Sequence, residues 1–75
     1  MKEERYAVIL IDYNAEGRIV QYPPILRTDD RNKAFELMGK VKKNENKEPY
    51  NEYDEVRILE DGEWVAIQEL LDLRY

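Results

Sequence analysis

Tyr6-Ala7-Val8-Ile9-Leu10-Ile11-Asp12-Tyr13 is the stretch that decides the fold. In an extended chain successive side chains point to opposite faces. Tyr6, Val8 and Leu10 then share one face, and Ala7, Ile9 and Ile11 share the other. Both faces are apolar in the middle, so Glu4 to Tyr13 reads as a central strand that needs cover on each side. Asn14-Ala15-Glu16-Gly17 follows as a turn, with Gly17 suited to the left-handed conformation of a bulged hairpin. Arg18 to Tyr22 returns as the second strand.

Pro23 and Pro24 end that pairing, because neither has an amide hydrogen to place in a ladder. Ile25 and Leu26 are expected to be buried and to pin the connection. Thr28 is the expected helix N-cap, with Asp29 and Asp30 beside the positive end of the helix dipole. The helix is expected from about Asp29 to Lys43, with Ala34, Leu37, Met38 and Val41 as its apolar stripe and Phe35 beside it. Lys40, Lys42 and Lys43 suit its negative end. Asn44 to Glu52 is polar, carries Pro49 and reads as a loop.

Tyr53 to Leu59 is the third strand, with Val56 and Ile58 on one face and Glu55 and Arg57 on the other. Asp61-Gly62 is a strong hairpin turn, and Glu63 to Gln68 returns as the fourth strand. Glu69 to Tyr75 fits both a helical and a strand pattern, and a short helix or turn is the expectation. The order is hairpin, helix, hairpin: a single α+β domain with a four-stranded antiparallel sheet and one helix on one face. The other face is left half solvated or paired with a second copy as a homodimer.

The composition narrows the chemistry. The 75 residues contain no histidine, cysteine or serine, and Thr28 is the one threonine. Most covalent nucleophiles, the usual acid/base group near neutral pH and the usual zinc ligands are absent, which argues against most enzymes. No disulfide or structural zinc supports a chain that buries roughly 60% of its unfolded surface, so stability rests on the core or on oligomerisation. The first apolar run is too short for a signal peptide or a bilayer span, and a cytoplasmic protein is expected. No cofactor or metal is expected. The net charge is -5 and uneven: residues 29–47 carry +2 and residues 48–75 carry -7. An acidic C-terminal third repels phosphate and favours a basic protein partner.

Several clusters are candidates for function. Asp54, Glu55, Glu60, Asp61 and Glu63 crowd the second hairpin, but their spacing lacks a calcium-loop pattern, and the acids of the turn read as solvated. Asp29-Asp30 is explained by a helix N-terminus rather than by a metal. Lys40, Lys42, Lys43 and Lys47 form a small basic patch able to meet a phosphate backbone. Tyr6, Tyr13, Tyr22, Tyr50, Tyr53 and Trp64 offer stacking surfaces for single-stranded bases, although half-buried sheet positions explain them too.

At Tyr22-Pro23-Pro24-Ile25, followed by Asp30-Arg31-Asn32-Lys33-Ala34-Phe35, the chain resembles the small nonstructural protein family of gokushovirus-type microphages, to which DNA binding is ascribed. Glu52-Tyr53-Asp54-Glu55-Val56 and Asp61-Gly62 stand where that family has its acidic, aromatic segment and hairpin. At the helix start this chain reads Ala34-Phe35-Glu36 where the family has Ala-x-Arg. The resemblance implies a phage accessory protein.

The expected function is a non-enzymatic interaction protein, of the size and charge of a phage-type inhibitor or accessory factor. Its expected partner-binding residues are Tyr53, Glu55, Arg57, Glu60, Asp61, Glu63 and Trp64, the aromatics as anchors and the acids as steering charges. The alternatives are a single-stranded nucleic-acid binder using Lys40, Lys42, Lys43 and Lys47, and a structural homo-oligomer.

Overall fold

The computed structural model describes residues 4–44, 47, 48 and 50–70. Strand β1 spans Tyr6–Tyr13, β2 Ile19–Gln21 and β3 Leu26–Thr28. Helix α1 spans Arg31–Lys43, and a single 3-10 turn at Tyr50–Glu52 lies within the expected loop. Strands β4 (Glu55–Glu60) and β5 (Glu63–Glu69) complete a five-stranded antiparallel sheet. The α+β architecture with the helix on one face is the expected one. The fifth strand is not.

That extra strand comes from the prolines. β2 pairs with the end of β1 and β3 with its beginning, both on the side away from β4. They are one edge strand interrupted at Pro23-Pro24. Its two shoulders stay tied to β1: the Tyr22 amide donates to the Leu10 carbonyl at 3.2 Å, and the Ile25 amide to the Val8 carbonyl at 2.8 Å. The chain steps out where it has no amide to give and then rejoins the ladder. Leu26 packs on the core as expected, but Ile25 stays exposed, because it lies at the step itself.

Rejoining the sheet moves the helix start. Thr28 ends β3, and its Oγ1 accepts from the Asp30 amide at 3.0 Å. Asp30, not Thr28, is the N-cap: its Oδ1 accepts from the amides of Asn32 (2.9 Å) and Lys33 (3.4 Å). The helix therefore begins two residues later than expected, with no acid inside its first turn. Lys40, Lys42 and Lys43 occupy the last turn as expected.

The main core lies between α1 and the sheet. Ala34, Met38 and Val41 meet Tyr6, Val8, Leu10, Val56, Ile58 and Leu70, with Leu37 and Phe35 at the margin. Full burial of a side chain such as Val or Ile contributes about 1.5–3 kcal/mol. Asp61 and Gly62 both take positive φ, 50° and 86°, which gives the tight turn between β4 and β5 its required backbone twist. Glu69 extends β5 and Leu70 is buried, so the strand runs into the segment expected to be helix or turn. Residues 71–75 of that segment lie outside the described residues. No helix among the described residues is long and apolar enough to cross a membrane.

Ile58 is fully buried in this core, whereas Ile67 is 54% exposed. Ile58→Ala is expected to lower unfolding free energy by about 3 kcal/mol through the cavity it leaves. Ile67→Ala is expected to change it by no more than about 0.5 kcal/mol. Urea unfolding of the two variants checks the difference.

Candidate interaction face

The second face of the sheet carries no helix among the described residues. Its side chains follow from the register as three rows across β1, β4 and β5. Ala7, Leu59 and Trp64 form one row; Ile9, Arg57 and Ile67 the next; Ile11, Glu55 and Glu69 the third. A register shift between Ile58 and Leu59 leaves Trp64 and Val65 together opposite Leu59. Tyr13 extends the β1 column, with Ile19 of β2 beside it.

Apolar side chains on an uncovered sheet face are ordinarily wet. Here Ile9 is 4% exposed and Ile11 0%. Their cover includes polar side chains. Arg57 Nε donates to Glu55 Oε1 at 2.8 Å, and Arg57 Nη2 donates to the Tyr13 hydroxyl at 3.2 Å. The Tyr13 hydroxyl donates to Glu55 Oε2 at 2.8 Å and closes the triangle. The Arg57 guanidinium also lies 5.1 Å over the Trp64 ring. Leu59 and Trp64 pack on Ala7, Ile9 and Ile11. The aliphatic stem of Arg57 can cover apolar surface while its head is paired. Glu55 and Arg57 are therefore buried, at 8% and 9%, rather than solvated like the turn. No buried side-chain nitrogen or oxygen among the described residues lacks a hydrogen-bond partner.

The Tyr13 phenol is held above its ordinary range, first by the hydrogen bond it donates to Glu55, then by desolvation and by the Glu55 charge. Arg57 opposes this by favouring the phenolate. The folded pKa lies above the unfolded one, so this contribution is complete below pH about 10 and is lost as pH rises past the raised value.

The expected binding residues divide between the two faces. Glu55, Arg57 and Trp64 come together with Tyr13. Tyr53 lies on the helix side, packed on the main core with its ring edge-on to Tyr22 at 4.9 Å between centroids. Glu60 stands opposite Tyr6 in β1, a residue of the helix-side core. At the hairpin tip Arg5 donates to Asp61 Oδ2 at 3.2 and 3.0 Å and lies 3.6 Å from Glu60. Two of the three tip acids are thus engaged by the base of β1, while Glu63 is exposed. Among the lysines, Lys40 pairs with Glu36 at 3.4 Å, and Lys42 Nζ donates to the Glu69 carbonyl at 2.8 Å. No three carboxylates among the described residues converge to hold a metal.

Four exposed apolar residues of this face, Tyr13, Ile19, Val65 and Ile67, are absent from the expected set. Tyr13 was legible only as a stacking candidate; its alternation with Ile9 and Ile11 was the available signal.

Removing one partner of a buried pair strands the other charge. Arg57→Ala is expected to cost about 3 kcal/mol in chemical denaturation, whereas the joint replacement Glu55→Leu with Arg57→Met costs less than that single change. A single-variant loss below about 1 kcal/mol counts against the polar cover, since that is the range of an exposed pair. Alkaline titration of tyrosine absorbance is expected to show Tyr13 and Tyr22 ionising above the ordinary range in the native chain, and one of the two late-ionising phenols to be lost in Tyr13→Phe.

No protein-family model, curated protein or solved structure matches the chain.

Proposed function

We propose that this chain is a non-enzymatic protein-interaction module that docks the Arg57–Trp64 face of the sheet and its acidic strand β5 on a basic protein partner. The observation that carries the reading is the exposure of Val65 (43%) and Ile67 (54%) beside Trp64, on a strand that begins at Glu63 and ends at Glu69. Exposed apolar groups gathered on one face mark interaction surfaces. Aromatic anchors with a charged rim are the usual anatomy of such a surface. The rim acids steer encounter with a basic partner and favour it over other surfaces. The Arg57–Glu55–Tyr13 network holds Trp64 in place and supports the face rather than supplying its free charge.

A phage-type inhibitor or accessory factor is the setting the microphage resemblance suggests. The alternative of a single-stranded nucleic-acid binder draws on Lys43 and Lys47, with Lys40 and Lys42 already engaged within the fold. It predicts affinity that falls steeply with salt.

The test is a pull-down from host-type lysate with the tagged chain, with and without nuclease, beside the charge-reversed variant Glu63→Lys/Glu69→Lys. The expected result is one stoichiometric protein that survives nuclease and is lost from the variant. Recovery of nucleic acid, or loss of every partner after nuclease, overturns the reading in favour of the lysine patch.

A further inference from the structure

The outer edge of β5 says how such a partner attaches. Among the described residues β5 pairs only with β4. The opposite edge of the sheet is two three-residue pieces split by Pro23-Pro24, whereas β5 runs unbroken for seven residues. The Leu70 amide donates to the Asp54 carbonyl at 2.9 Å. Antiparallel alternation then turns the backbone of Gln68 and Ala66 toward β4, and that of Ile67 and Glu69 outward. The Glu69 carbonyl accepts from Lys42 at one end, and at the other the Trp64–Val65 irregularity interrupts the ladder. The usable stretch is centred on Ile67, the most exposed of the large apolar side chains described.

Charge decides the occupant. A second copy added antiparallel brings the Glu63 end of each strand to the Glu69 end of the other, and like charges across a strand pair are destabilising. A segment with a cation at each end meets opposite charge instead. We propose that β5 takes an extended segment of a protein partner as an added antiparallel strand, with a β-branched residue opposite Ile67, Lys or Arg opposite Glu69 on the same face, and a cation at its far end for Glu63, whose partner Glu60 sets it toward the helix side. Main-chain hydrogen bonds supply affinity in this mode, and alternate side chains supply specificity. The inference rests on the docking reading above and names its mode and partner chemistry.

The probe is the end-blocked peptide Lys-Thr-Val-Thr-Val-Thr-Lys, with Glu-Thr-Val-Thr-Val-Thr-Glu as control, added to the 15N-labelled full chain. Amide hydrogen exchange is read residue by residue. In the free chain Ile67 and Glu69 are expected to exchange faster than Ala66 and Gln68. The lysine peptide at about 1 mM is expected to slow Ile67 and Glu69 at least about threefold, while Ala66 and Gln68 change less. The glutamate peptide and the variant Glu63→Lys/Glu69→Lys are expected to show no slowing. Unchanged exchange at Ile67 and Glu69 overturns the proposal. If the peptide shifts Trp64 and Tyr13 signals without protecting those amides, docking on the face stands and strand addition falls. Protection that grows with protein concentration in the absence of peptide assigns the edge to a second copy and also overturns it.

Discussion

Ile9 and Ile11 are as inaccessible as Val8 and Leu10, although among the described residues only the second pair faces a helix. A central strand with apolar side chains on both faces needs two covers, and α1 supplies one. The other includes Arg57, held by Glu55 and Tyr13 and laid over Trp64. An ion pair taken out of water gains little by itself, because desolvation offsets most of the attraction. Its value here is geometric. The pairing fixes the guanidinium over the Trp64 ring, and a long side chain held this way can cover apolar surface with its stem. The described residues reach a two-sided core in this way with one α-helix.

Much of this architecture was readable in the residues. The alternation in Tyr6–Tyr13, the Ala34/Met38/Val41 stripe and the Asp61-Gly62 turn each have one physical solution, and they occur as read. The misreadings share a cause: local chemistry has two outcomes and tertiary pairing selects one. Thr28 and Asp30 both make good N-caps; β3 pairing with β1 claims Thr28 and leaves Asp30. Pro23-Pro24 marks a break, but not that the chain rejoins the same edge three residues later. Ile25 is apolar in sequence and exposed in space, because it sits at the proline step.

The candidate site was less legible. Glu55, Arg57 and Trp64 are neighbours along two strands, and a hairpin register brings them together. Tyr13 joins them only through the β1–β4 pairing, across 42 positions of sequence to Glu55. Tyr53 is close to Glu55 in sequence yet belongs to the opposite face. Charge counting also placed more free acid at the hairpin tip than the fold leaves there, because Arg5 lies against Asp61 and Glu60. The acids that frame the proposed contact are those at the ends of β5.

Among the described residues, the second face of β1 is closed by side chains of the sheet itself, Arg57, Leu59 and Trp64 among them. Paramagnetic relaxation of isoleucine methyls by a soluble gadolinium chelate tests this closure directly. Ile9 and Ile11 are expected to be as shielded as Ile58, while Ile19 and Ile67 broaden strongly. Broadening of Ile9 and Ile11 to the level of Ile67 would contradict the account, because the Arg57 cover would then be open to solvent.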